Sequence, residues 1–281
     1  MVSILILGLG WSSLFLTDLL SSDEHHRYTY AATTRDGRND TIPWTLSDDP
    51  TAIDVSCLPD AETILVTFPV KNAKVMKAFV DAYDKKKSDN KQSPAQWIIL
   101  SSTRPFTAPD INNRHSPLDS SVDNNRIPSE EVVLERNGTV LHLAGLWGAQ
   151  RQPKNWVSRF AIEEKLKGKL LVRQLHLIHG KDVARAVLAT HTGFQKAAGQ
   201  RWIVTDGGCY DWLRLFCTWA SSDQLQILQH LLDHDHEVQQ KWGTSQTVSA
   251  LVEKDDVTPR LDSSDFWTTF ALEPKEFLSV E

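Results

Sequence analysis

Apolar and polar positions along the first hundred residues alternate between two periods. Val2–Leu7 is apolar apart from Ser3, the pattern of a strand buried on both faces of a parallel sheet. Leu14, Phe15, Leu16, Leu19 and Leu20 follow as a helical stripe within Ser12–Leu20. Tyr28–Thr33 reads as a second strand and Ile64–Phe68 as another, closed by Pro69. Ala73–Tyr83 carries a helical stripe, and Trp97–Leu100 is a strand ending in Ser101-Ser102-Thr103. This alternation predicts right-handed crossovers and a parallel sheet.

Later segments are less regular. Lys85-Lys86-Lys87 through Pro94 reads as a polar loop with solvated lysines. Residues 103–125 hold no periodic segment, a length that in a compact domain is often functional. A helix is predicted over Arg126–Arg136 and a strand over Thr139–Ala144. A further helix is predicted over Asp182–His191 with Asp182 as N-cap, then a strand over Trp202–Thr205. Helices are predicted over Tyr210–Ala220 and Gln224–Gln240. The last 25 or so residues give no pattern. The predicted fold is α/β: a doubly wound parallel (Rossmann) sheet with a smaller C-terminal substrate lobe. Residues 1–144 form the first domain in this reading, and 145–281 complete the sheet and build the lobe.

Composition narrows the classes. The formal charge of −6 over 281 residues argues against nucleic-acid binding, which needs a concentrated basic face. Three cysteines rule out a disulfide scaffold and suit a reducing, cytoplasmic setting. No apolar run reaches the length of a membrane span. Cys209 and Cys217 read as buried small groups. His230 and His234 share a helical face, but the glutamate of a hydrolytic zinc motif is missing, so no metal is expected.

The strongest chemical signal is Gly8-Leu9-Gly10-Trp11-Ser12-Ser13, between a buried strand and a helix. That context suits a dinucleotide: Gly8 for the tight turn, Gly10 for close approach of a pyrophosphate, and the helix N-terminus for its charge. Ser13 stands where a third glycine is usual. After the second strand, Thr34 and Arg35 favour the 2′-phosphate of NADP, while Asp36 keeps NAD open.

These passages resemble the short-chain dehydrogenase/reductase superfamily in its extended or atypical branch, the NAD(P)-dependent epimerase/dehydratase-like proteins. The resemblance rests on Ile4–Trp11, Ala32–Arg35, Val66-Thr67-Phe68-Pro69 and Leu100–Thr103. It continues through Leu141–Gly148, similar to "R-L-A-G-I-Y-G", and Ile178–Ala184, similar to "I-H-V-D-D-V-A", and is faint beyond residue 205. It implies a cofactor site that also includes Thr67, Phe68, Pro69, Ser101, Gly145, Leu146 and Trp147. It further implies a small polar, sugar-like substrate and admits a homodimer.

The departure is in the catalytic pair. The family's Tyr-x-x-x-Lys puts both side chains on one face of the helix after the long loop. Tyr28, Tyr30 and Tyr210 lack the lysine, and Tyr83, which has Lys87 four positions on, lies with the other three outside that helix. Arg126 and Glu130 occupy the matching positions. Arginine stays protonated at neutral pH and cannot serve as the acid. Glu130 could act as a base, or the two could form an i,i+4 ion pair. Ser102 and Thr103 could orient a substrate oxygen or simply close the strand. His179 reads as structural, with a proton-transfer role as the alternative. An NAD(P)-dependent oxidoreductase or epimerase and a non-catalytic NADP-binding sensor or scaffold are therefore both carried forward. A β-hydroxyacid-type dehydrogenase would need an all-helical C-terminal half, which the strands after residue 138 contradict.

Overall fold

The computed structural model describes residues 1–22, 27–122 and 125–280. The first half runs β1 (Val2–Leu7), α1 (Trp11–Ser21), β2 (Tyr30–Thr34), β3 (Ile42–Pro43), β4 (Ala61–Val66), α2 (Ala73–Asp89), β5 (Gln96–Ser102), α3 (Ile127–Leu134) and β6 (Thr139–Leu143). The second half runs β7 (Gly145–Trp147), α4 (Lys154–Val157), α5 (Glu163–Leu171), β8 (Gln174–Leu175), β9 (Leu177–His179), α6 (Gly180–Thr192), α7 (Phe194–Ala197) and β10 (Arg201–Val204). It closes with β11 (Tyr210–Asp211), α8 (Trp212–Trp219), α9 (Ser222–His234), α10 (His236–Trp242), α11 (Val248–Glu253) and α12 (Ser264–Thr269).

Seven parallel strands form one sheet in the order β10-β6-β5-β4-β1-β2-β3. This is a Rossmann-like doubly wound fold. The chain builds outward from β1 to β3, then crosses to β4 on the other side of β1, so the switch point lies between β1 and β4. Strand side chains alternate between the two faces. Ile4 and Ile6 of β1 join α1 and α6 in one core, while Leu5 and Leu7 join α2 and α3 in the other. A third core, with Leu166, Leu213, Phe216, Leu228 and Leu232, fills a helical lobe made by α4, α5 and α8–α11. The short parallel pair β7·β9 leads from the sheet toward that lobe. No helix among the described residues is long and apolar enough to cross a membrane.

Five expectations change. Helix α2 continues through the lysine run to Asp89. Lys87 is buried there because its stem lies along apolar surface and its ammonium bonds the Ala61 carbonyl at 2.6 Å. The expected helix over Gln224–Gln240 is two, because Asp235 turns extended and caps α10 at the Val238 amide. His179, not Asp182, caps α6 through the Lys181 amide. Asp182 sits inside the first turn, fully buried, and pins the C-terminal segment through the Lys275 and Glu276 amides. Cys217 is exposed and Cys209 only half-buried. The last residues, which carry no period, contain the two-turn α12, whose Phe266 and Trp267 close the first core.

Candidate cofactor groove and substrate cavity

Two cavities run along the carboxyl edge of the sheet and share Thr67 and Pro69. The first, about 790 Å³, begins at the turn after β1. Gly8 has φ +91°, and a side chain there would start 2.8 Å from the Thr67 hydroxyl and 3.1 Å from the Phe68 ring. Only glycine meets both demands. The Gly8 amide donates to the Thr33 hydroxyl (3.0 Å) and the Leu9 amide to the Thr33 carbonyl (2.8 Å). Ser13, in the place of the third glycine, donates its hydroxyl to the Gly8 carbonyl at 3.0 Å and is buried. A glycine could not tie the turn in this way. The Thr67 hydroxyl also donates to Gly8, at 2.7 Å, so it too holds the turn.

Gly10 caps α1, and a Cβ there would meet nothing within 4 Å. Open space therefore faces the helix end that carries unsatisfied amides and partial positive charge. This is the cradle a pyrophosphate needs. Farther along, Arg35, Asp36, Arg38, Trp44, Leu46 and Phe68 line the same cavity. Arg38 was not evident from the sequence. It lies beyond the strand terminus and is half engaged by Asp36 at 3.7 Å. The Thr34 and Thr41 hydroxyls, 2.6 Å apart, tie the end of β2 to this loop. The residues thus fit a dinucleotide, with an apolar slot beside Trp44, Leu46 and Phe68 and two guanidiniums at its rim.

The second cavity, about 730 Å³, is lined by Ser12, Ser101, Ser102, Thr103, Gly145 and Leu146, together with Arg104, Arg126, Arg151, Trp156 and Arg159. Of the residues expected from sequence, it brings together Ser101, Ser102, Thr103, Arg126, Gly145 and Leu146. Glu130 does not line it. Glu130 is buried behind the sheet edge, where it accepts from the Ser101 hydroxyl (2.5 Å) and from Arg201 on β10 (2.7 Å). The proposed ion pair with Arg126 is not formed; Arg201 replaces it. His142, fully buried beside Glu130, has its pKa pushed down, chiefly by burial, and bonds the Ser102 carbonyl at 2.9 Å. Arg126 itself keeps a buried Nε with no hydrogen-bond partner.

Trp11 and Trp147 line neither cavity. The guanidinium of Arg151 lies over the Trp11 ring at 4.6 Å, so Trp11 positions a lining residue. Trp147 packs edge-on against His179 at 4.6 Å. His179 is buried and sits under Gly148, where a Cβ would lie 2.2 Å from Nε2. Burial lowers its pKa, and its role is packing and capping. Arg104, Arg151, Trp156 and Arg159 were missed by sequence reading. Arg104 directly follows the Ser-Ser-Thr terminus, but no spacing singles out the others. Among the described residues, no group of three or more His, Cys, Asp and Glu side chains could hold a metal.

No family model and no curated protein matches the sequence itself. Solved structures match the fold over nearly the whole chain. A functionally unknown conserved protein from Silicibacter pomeroyi aligns over 98% of this chain and 94% of its own, with TM-score 0.62 and 14% identity. dTDP-glucose 4,6-dehydratase from Bacillus anthracis, solved in complex with NAD, aligns over 98% and 92%, with TM-score 0.59 and 12% identity. UDP-N-acetylglucosamine 4-epimerase from Bacillus cereus aligns over 99% and 95%, with TM-score 0.56 and 12% identity. The chain thus shares the fold of extended short-chain dehydrogenase/reductase proteins.

Proposed function

We propose that the chain binds NADP in preference to NAD and acts as an oxidoreductase on a small polar substrate. The observation that carries this is the continuous path of two cavities from Arg35 to Leu146, joined at Thr67 and Pro69. The N-terminus of α1 at Gly10–Ser13 would hold the pyrophosphate, Arg35 and Arg38 the 2′-phosphate, and Pro69, Gly145 and Leu146 the nicotinamide end. The nicotinamide supplies the hydride chemistry when bound.

This chain's own residues then have three tasks. The Ser102 and Thr103 hydroxyls orient a substrate oxygen. The guanidiniums of Arg126 and Arg104 stabilise negative charge on that oxygen as it develops. Water delivers the proton, because the lining holds no tyrosine, lysine, histidine or carboxylate. Glu130 is a positioning residue in this reading: it fixes the Ser101 hydroxyl and the end of β5.

The same lining favours a second reading, a non-catalytic NADP-binding sensor. Calorimetry with NADPH and NADH, followed by hydride-transfer assays on aldehyde and sugar pools, separates the two. Tight NADPH binding with no turnover selects the sensor. Absence of binding to either nucleotide sinks both.

A further inference from the structure

Four arginines converge on the second cavity, Arg104, Arg126, Arg151 and Arg159, and no acid lies among the residues lining it. Among the described residues none of the four is paired with a carboxylate. Elsewhere in this acidic chain Arg114, Arg136, Arg173, Arg185, Arg201 and Arg214 each hold one. Exposed surfaces ordinarily intersperse the two signs. A cleft lined by one sign focuses its potential and concentrates counter-ions of the other. Arg126 adds a second observation, its buried and unpartnered Nε. The Lys169 ammonium lies over the Trp212 and Phe160 rings at 4.6 and 5.4 Å, and burial, then the charge of Arg104, lowers its pKa. It adds positive charge and brings no acid.

The dinucleotide does not account for this charge. Its pyrophosphate would face the amides of α1, and Arg151, stacked on Trp11 at the start of that helix, is the guanidinium placed to assist. Arg104, Arg126 and Arg159 remain. Two flank the Ser102–Thr103 terminus, after β5 and before α3, and the third comes from the lobe after α4. Guanidiniums grip phosphate and carboxylate oxygens in pairs of parallel hydrogen bonds. The cavity, about 730 Å³, must hold the nicotinamide end as well as the substrate. Pockets of this size ordinarily take a single drug-sized ligand, so the substrate is small.

We propose that the substrate is a small dianion, a phosphate monoester or a dicarboxylate, gripped by Arg104, Arg126 and Arg159 with its reacting oxygen at Ser102 and Thr103. This rests on reading the groove as a dinucleotide site.

The test uses the full chain saturated with NADP, so that the cofactor's own anion sites are filled. Glucose 6-phosphate, succinate, uncharged glucose and UDP-glucose are titrated in turn by calorimetry at fixed ionic strength. One of the two small dianions is expected to bind at least tenfold tighter than glucose, and which one does so assigns phosphate or carboxylate. Arg104→Gln and Arg159→Gln are each expected to weaken that dianion at least tenfold while NADP affinity changes less than twofold. Arg159→Lys, which keeps the charge and loses the fork, is expected to fall between. Equal binding of glucose and both dianions overturns the proposal, as does unchanged dianion binding in the glutamine variants. Tighter binding of UDP-glucose than of either small dianion overturns the size assignment. If NADP does not bind at all, the groove reading fails by itself. Arginine-dependent dianion binding by the nucleotide-free chain then still supports the anion site, and its absence removes it.

Discussion

Arginine has opposite tasks in two regions of this molecule. In the lobe, Arg173 is 1% exposed and closed in on every side. Asp211 takes its Nε at 3.2 Å and Nη2 at 2.6 Å, Asp256 takes Nη1 at 2.8 Å, and the Leu251 carbonyl accepts at 2.9 Å. It joins β11, α11 and the loop after α11 into one knot. At the second cavity four arginines stand with no acid in the lining. The residue type is the same, and the difference lies in whether the chain itself supplies the counter-charge. Where it does, arginine is part of the fold. Where it does not, the missing charge points to a ligand.

The sharpest test of that contrast is stability. Removing one partner from a buried charged knot leaves uncompensated charges, at a cost of about 3–5 kcal/mol. Arg173→Met is expected to lower the unfolding free energy by that amount in urea titrations. Arg159→Gln, on an unpaired exposed side chain, is expected to stay within about 0.5 kcal/mol of the parent. Similar losses for both would erase the distinction.

Gly10→Asp breaks the other side of the comparison, function without fold. Gly10 has φ −98° and ψ −170°, which any residue adopts, its Cβ would enter open space, and aspartate is a good N-cap. The fold should hold. The new carboxylate would occupy and repel the pyrophosphate position. NADPH affinity is expected to fall by about 100-fold or more, close to 3 kcal/mol, with no loss of thermal stability. Calorimetry and a melting curve on the same preparation check both halves.

A buried acid without a cation gives a third, pH-dependent test. Asp206 accepts from the Tyr210 hydroxyl (2.7 Å) and the Gly208 amide (2.8 Å), and burial pushes its pKa up to about 6. The folded state therefore binds the proton more tightly than the unfolded chain, whose aspartates titrate near 4. Between about pH 4 and 6 the folded state holds more protons, so this contribution is full below that window and is lost as pH rises through it. The total is at most roughly 3 kcal/mol. Asp206→Asn should flatten that decline relative to the parent when Tm is followed from pH 4 to 7. Parallel pH profiles would show that Asp206 ionises freely in the folded state.

What the sequence made legible follows the same division. The strand, turn and helix from Val2 to Ser21 were readable because the residues that carry the pattern are contiguous, even though Thr33 and Thr67 reach in from afar to hold the turn. The cavity was not, because its arginines are scattered from position 104 to 159 and gain meaning only when β5, α3 and the segment around α4 meet. Glu130 was misread for a related reason. Its helical spacing from Arg126 is real, but Arg201, 71 residues away on β10, reaches it first. The lysine run after Tyr83 looked solvated because nothing local announces the carbonyls of Leu58 and Ala61 that receive Lys86 and Lys87.

The smallest expected effect tests whether the rule of unanswered charge works within a single site. Arg35 and Arg38 both line the first cavity, at the end proposed to hold the adenosine. Arg38 already has Asp36 at 3.7 Å, while Arg35 is paired with no acid among the described residues. A charge-assisted hydrogen bond to phosphate contributes about 1.5–3 kcal/mol. Arg35→Ala should therefore weaken NADP about tenfold or more and leave NAD nearly unchanged. Arg38→Ala should cost less, about two- to fivefold, because its charge is shared with Asp36 and an exposed ion pair is worth at most about 1 kcal/mol. Asp36→Ala should act in reverse and tighten NADP slightly, by releasing Arg38 and removing a negative charge from the phosphate's surroundings. Dissociation constants for the three variants with both nucleotides give the order directly. If Arg38→Ala proves costlier than Arg35→Ala, an answered arginine reads the phosphate better than an unanswered one, and pairing does not sort binding arginines from structural ones in this chain.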